Sequence, residues 1–332
     1  MKPSTEPSPD PAVLAALRAR ARGEPAVSFA DFMDVALYEP GSGYYRRPGA
    51  RIGYGPGTDF LTATASAPLF GRLVAAACAG ILGPREAAQS EFVEIGAEPG
   101  AGVLRDGPHP FGSLRQVRVG EPLRIEGRCV VFSNELFDAQ PFRRFRFRAG
   151  AWRELGVSVA GPDLAEVELP EGPAAPDPFP RSAPEGYVID APLASAELAR
   201  RIAREPWTGL FLAFDYGKTW REIAFEAPAG TARAYRGHAQ VSDLLGSPGR
   251  QDITCHVCWD WLADALRGLR FAEPRVESAE AFFTRNCGEF IAAVAAAEAG
   301  RLSPEKLSLL QLLHPANLGQ SFQALWALRR PA

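Results

Sequence analysis

Between Phe132 and Pro141 the chain places Asn134, Glu135 and Asp138 directly after a short apolar, β-branched run, Cys129-Val130-Val131-Phe132. The run, bounded by Gly127 and Pro141, reads as a buried strand of a parallel sheet. Ligands of open α/β sheets lie beyond the carboxyl ends of such strands, so three clustered hydrogen-bond acceptors stand where a cofactor or substrate would sit. Asn and Asp also serve widely as turn and helix-capping residues, and that reading stays open for Asn134 and Asp138.

Two further strands end in the same way. Phe92-Val93-Glu94-Ile95 runs into Gly96, and Gly209 to Phe214 runs into Asp215-Tyr216-Gly217. Three apolar strands with acidic ends predict a doubly wound α/β sheet with one functional edge. The strand-to-glycine turn at Gly96 is of the kind that lies under a nucleotide-like ligand, with an acid on the ribose hydroxyls further along. Glu94, an acid inside a buried strand, needs a partner. Asp215 reads equally well as a cap of the next helix, and His238 as a histidine bonded to a backbone carbonyl.

Helical spacing predicts helices over 11–22, 29–37 with Ser28 as cap, 69–82 stopped by Gly83-Pro84, 193–204, 263–269 and 291–299; residues 321–328 form a strand or a helix. The alternating Arg143 to Arg148, with Phe145 and Phe147 on one face, predicts a hairpin strand leading through Ala149-Gly150 into Trp152 to Val157; a basic partner-binding strip is the alternative. The Pro- and acid-rich region 155–187 predicts an irregular hairpin and loop excursion. Two glycine- and tyrosine-bearing loops, 38–45 and 53–62, are candidates for ligand contact.

With 332 residues, 46% hydrophobic and 23% charged, the chain has the composition of a globular protein of one large domain or two. A formal charge of −3 gives no general basic field, so nucleic-acid binding is not expected. Five scattered cysteines fit a reducing compartment. Cys255-His256-Val257-Cys258 is a lone C-x-x-C pair in a chain with four histidines, and no metal is expected. No apolar stretch reaches the roughly 20 residues of a membrane helix. The polar, proline-rich start reads as a disordered leader and no clear targeting segment, which predicts a cytoplasmic protein in a bacterium and a mitochondrial one only in a eukaryote.

Taken together, Ala36-Leu37-Tyr38-Glu39-Pro40, Gly43-Tyr44-Tyr45, Asp59-Phe60-Leu61-Thr62-Ala63, Val93-Glu94-Ile95-Gly96, Asn134-Glu135-Leu136-Phe137-Asp138-Ala139, Asp215-Tyr216-Gly217, Arg236-Gly237-His238 and Asp252-Ile253-Thr254 occur in the order of the MidA-like family. Over about 28–328 the chain resembles these S-adenosylmethionine-dependent methyltransferases, whose mitochondrial member methylates a protein arginine and assists assembly of respiratory complex I. The resemblance implies a class I, Rossmann-like methyltransferase core with an N-terminal helical segment and inserted substrate-side elements. It implies a leader over 1–25, a segment over 26–90 whose glycine-rich loops line the cleft, and a core over 91–332 with insertions around 155–190 and 220–290.

By the same resemblance S-adenosylmethionine is the cofactor, held by Asp59, Phe60, Thr62, Glu94, Gly96 and Gly100. Asn134, Glu135 and Asp138 are the catalytic set; Asp215, Tyr216 and His238 bind a protein substrate or partner. Methyl transfer from a sulfonium depends chiefly on positioning, and the carboxylates of Glu135 and Asp138 would hold an arginine guanidinium by bidentate bonds.

The chain also departs from the family. Glu98 stands at the second glycine of the cofactor loop, and Pro99 removes a backbone donor. Only 38 positions separate Gly96 from Asn134, where a class I core needs roughly 60 for two helices and the second and third strands. The first-strand to fourth-strand region is therefore shortened, and neither Glu121 nor Glu126 follows a convincing second strand. Thr64-Ala65 replaces the family's Pro-Glu, and Cys258 its Asp. Two readings follow: an enzyme that methylates a protein arginine, or a catalytically degenerate methyltransferase fold that acts as a binding or assembly factor.

Overall fold

The computed structural model describes residues 10–47, 68–97, 101–105, 107–170, 175–297 and 303–331. Its contacts divide the chain into two compact units, each assembled from three stretches: 1–60, 137–197 and 218–258, and 61–136, 198–217 and 259–332.

Local chemistry sets the element ends. Helix α1 (Pro11–Ala21) begins at Asp10, whose carboxylate accepts the Ala12 N–H at 3.0 Å, and carries proline where no donor is needed. Strand β1 (Ala26–Ser28) enters α2 (Phe29–Tyr38), where Ser28 Oγ accepts the Asp31 N–H at 3.0 Å. Helix α3 (Leu69–Leu82) stops at Gly83, and α4 (Pro84–Ala88) restarts on proline. Strands β2 (Glu91–Ile95), β3 (Ser113–Val117) and β4 (Gly127–Asn134) follow.

Then come β5 (Arg143–Arg148), β6 (Ala151–Ser158), β7 (Ala165–Glu168), β8 (Val188–Ala191), α5 (Leu193–Arg204) and β9 (Trp207–Asp215). Next are β10 (Gly217–Lys218), α6 (Trp220–Phe225), β11 (Arg233–Arg236), β12 (Ala239–Val241), β13 (Asp252–Thr254) and β14 (Val257–Cys258). The chain closes with α7 (Trp259–Leu266), β15 (Arg275–Ser278), α8 (Ala279–Ala297), α9 (Pro304–Leu313) and β16 (Gln323–Arg329).

The second unit is built on a six-stranded sheet of order β15-β16-β9-β4-β2-β3. Strands β3, β2, β4 and β9 are parallel, and β16 and β15 turn antiparallel. The three strands read from their apolar runs, β2, β4 and β9, are consecutive in the sheet and buried, as their continuous hydrophobicity requires. The α/β class and the Rossmann-like order are as expected.

The second strand, for which the sequence offers no convincing segment, is β3, paired with β2 from Glu91↔Ser113 to Ile95↔Val117. Among the described residues no helix lies between β2 and β4. The shortened region thus keeps the second strand, β3, and among the described residues shows neither the helices nor a third strand.

One face of the sheet packs on α3 and α8 through aromatic side chains. Phe214 stacks on Phe283 at 5.2 Å and on Phe322 at 5.5 Å, with Phe70 edge-on at 5.5 Å. Each buried phenylalanine contributes on the order of 2–3 kcal/mol. Helix α8 begins well before the expected 291, and Cys287 leaves helical geometry within it (φ −145°, ψ 35°).

The first unit carries a sheet of order β1-β6-β5-β8, with β7 on β6. The β5–β6 hairpin is as expected, but the region read as an irregular excursion supplies one more strand, β7, and β8 follows directly after it. The arginines of β5 are met by carboxylates of the same sheet: Arg143 by Glu154 at 2.7 Å, Arg144 by Asp190 at 2.6 Å, Arg146 by Glu166 at 2.5 Å and Arg148 by Glu168 at 2.9 Å. That pairing rules out an open basic strip.

Candidate functional site

The register of the second unit's sheet fixes the site's geometry. Ile95 pairs with Ser133 and Asn134 with Phe214, so Gly96, Asn134 and Asp215 fall along one carboxyl edge on three neighbouring strands, about 5 Å apart per strand. At the turn after β2, Gly96 has φ +84°, and a Cβ there would come within 2.8 Å of Leu136 Cδ1. The positive φ is what calls for glycine, since the contact falls on the tip of a flexible side chain.

After β4 the chain bends sharply. Glu135 takes a left-handed conformation, φ +49°, while its N–H still donates to Phe214 O at 2.9 Å. A non-glycine residue held there is strained, and such strain concentrates at ligand sites. The Asn134 amide donates to Glu135 Oε1 at 3.3 Å. Asn134 Oδ1 is buried and accepts no hydrogen bond. A buried acceptor without a donor is uncommon and marks a place for an N–H group of a ligand.

The structure answers what Glu94 bonds to. Both of its carboxylate oxygens accept the Val103 N–H at 3.1 Å, and the Gln116 side-chain amide donates to Oε2 at 3.4 Å. Glu94 thus pins the loop after β2 to the sheet. Burial pushes its carboxyl up to about 7, with the bonds from Val103 and Gln116 acting against that shift. Sequence reading missed both partners; the signal for Gln116 was a polar residue in register with Glu94 on β3.

Asp215 is fully buried and its Oδ1 accepts the adjacent Tyr216 N–H at 2.8 Å, a local turn bond. Tyr216 is half-buried with its ring 5.0 Å from Phe322. Asp138 and His238 belong to the first unit. Asp138 is buried and its carbonyl accepts the Cys255 N–H at 3.0 Å. His238 is exposed at φ +62° beside Gly237 at φ +57°, the two-residue turn between β11 and β12. Asp59, Phe60, Thr62, Glu98, Pro99 and Gly100 lie outside the described residues.

Among the described residues no group of three or more His, Cys, Asp or Glu side chains is placed to hold a metal ion, Cys255 and Cys258 included. No helix among them is long and apolar enough to cross a membrane.

Residues 115–274 match a family model described as "Putative S-adenosyl-L-methionine-dependent methyltransferase". A COG1565 superfamily member from Burkholderia thailandensis, solved with S-adenosyl-homocysteine bound, superposes with a TM-score of 0.78 over 97% of this chain and 95% of its own, at 25% identity. These likenesses support the resemblance to MidA-like S-adenosylmethionine-dependent methyltransferases. A second, native Burkholderia thailandensis COG1565 structure shares the fold with a TM-score of 0.75 at 24% identity, over 97% and 95% of the two chains. The Drosophila melanogaster "Protein arginine methyltransferase NDUFAF7 homolog, mitochondrial" is 29% identical over 144 residues, 40% of this chain. That match spans about a third, 31%, of the curated relative's length.

Toward the family's cofactor, the amino-acid end fits. The glycine turn at Gly96 and the donor-less Asn134 Oδ1 complement an ammonium group. The residue following β3 is Arg118, and its N–H donates to Glu121 Oε2 at 2.8 Å. The Glu121 side chain also lines the cavity at the end of β3.

Proposed function

We propose that this chain binds S-adenosylmethionine at the carboxyl ends of β2, β4 and β9 and methylates an arginine of a protein. The orphaned, buried Asn134 Oδ1 at the sheet edge is the observation that carries the reading. S-adenosylmethionine would supply a methyl group on a sulfonium, an electrophile that needs no acid to activate it. Asn134 would accept an N–H from the cofactor's ammonium, and Gly96 would let the backbone come close beneath it. The Glu135 carboxylate, fixed at a strained strand end, would accept guanidinium N–H bonds and turn one nitrogen toward the methyl.

The arginine and protein assignments draw support from the Drosophila relative and from the strand-end carboxylate, not from a bound substrate. Calorimetric titration with S-adenosylhomocysteine, paired with transfer of labelled methyl from S-adenosylmethionine to arginine-containing proteins, tests both parts. Micromolar binding that weakens about tenfold in Asn134→Ala is expected, the scale of one lost hydrogen bond to a charged group. Absence of heat at millimolar ligand would sink the cofactor assignment; binding with label found only on lysine would sink the arginine one.

A further inference from the structure

The turn between β13 and β14 gathers side chains that the methyl-transfer reading does not use. His256 sits in that turn, and its backbone N–H donates to Thr231 Oγ1 at 3.3 Å. Strand β14 pairs with β10, which ends at Lys218, and β13 pairs with β11, where Arg233 stands opposite Thr254. Lys218, Arg233 and His256 therefore meet within the first unit.

Two of the three lack partners. Arg233 is half-buried, and among the described residues its guanidinium has neither a hydrogen-bond acceptor nor a carboxylate. His256 Nδ1 is buried and unpartnered, an uncommon state that marks a place for a ligand atom. Lys218 Nζ stands 3.9 Å from Glu222 Oε1, while Glu222 Oε2 accepts the Thr219 N–H and hydroxyl at 2.8 and 2.7 Å. Burial lowers the His256 imidazole to about 4, with Arg233 and Lys218 acting in the same direction and Glu222 against it. Two cations therefore flank a neutral imidazole, with one carboxylate at the edge. The single net positive charge suits a carboxylate better than a doubly charged phosphate, which Glu222 would repel, and a guanidinium fork matches carboxylate oxygens. Phe225, three positions beyond Glu222 on α6 and so on the same side of that helix, is 62% exposed and offers an apolar ledge to a peptide.

We propose that Lys218, Arg233 and His256 form a binding site for the side-chain carboxylate of a glutamate or aspartate in the protein substrate. The inference rests on the reading of that substrate as a protein and adds an acidic residue to what it must carry.

Titration of the full chain with acetyl-Ala-Glu-Ala-amide, followed by NMR through the His256 ring signals, tests it; His256→Gln identifies those signals. The glutamate peptide is expected to shift them saturably, with affinity falling as salt rises, and its glutamine counterpart to leave them unmoved. Arg233→Met should weaken the peptide about tenfold, the scale of one charge-assisted bond. Lys218→Met provides a second variant should the first fail to fold. Bound peptide should also raise the pH at which His256 protonates, since an anion opposes the effect of Arg233 and Lys218. No shift with the glutamate peptide, an equal shift with the glutamine one, tighter binding of inorganic phosphate, or affinity indifferent to loss of either cation would overturn the assignment. Methyl transfer plays no part in this measurement, and the labelled-methyl assay reports the protein-substrate reading separately, so either can fail alone.

Discussion

Glu94 ties a buried charge to the shape of the loop after β2, and its titration makes that tie measurable. A free glutamate titrates near 4.5, and Glu94 is raised to about 7 chiefly by burial. Between those values the folded chain keeps a proton that the unfolded chain has released. The stabilisation from this group is therefore full below the unfolded value and is lost as pH rises through about 7. The loss is on the order of 3 kcal/mol. Glu94→Gln keeps the size and an acceptor for Val103 N–H, so the difference in unfolding free energy between wild type and variant should change between pH 5 and 8, the wild type losing ground as pH rises. A pH-independent difference would show that the carboxyl is not held protonated. The sequence marked Glu94 as needing a partner, yet the partner is a backbone N–H nine residues on, which side-chain chemistry gives no means to foresee.

At the scale of elements, α3 and the loop it covers set each other's position. Gly71 of α3 faces the Val103 carbonyl so closely that a Cβ would overlap it, and Val103 is the residue whose N–H bonds Glu94. Gly71→Ala must push that backbone away, at a cost of about 1–3 kcal/mol, and should lower the urea midpoint while flattening the pH dependence assigned to Glu94. A lowered midpoint with the pH dependence intact would mean that the loop moves as a body and keeps its bond. Legibility at this scale follows burial. Strands β2, β4 and β9 announced themselves by unbroken apolar runs, whereas Ser113-Leu-Arg-Gln-Val117 is paired on one side only and keeps polar residues at most positions. The strands of the first unit hid among prolines and acids because their arginines pair with carboxylates from neighbouring strands, a relation no local window contains.

Over the whole molecule the chain passes between its two units five times, at 60/61, 136/137, 197/198, 217/218 and 258/259. One such passage splits the motif from Asn134 to Asp138, so an ordered set of motif residues carries the family resemblance without telling which of them share a unit. What the second unit does hold together is its central sheet. Strand β9 is paired along its length with β4 on one side and β16 on the other, while β3 has β2 alone. Amide exchange should therefore be slowest at Val131, Phe132, Phe211 and Leu212, whose opening requires the whole sheet to come apart, and markedly faster at Leu114 and Gln116. Exchange in β3 as slow as in β9 would show that this edge of the sheet is covered in solution and that β3 opens only with the sheet as a whole.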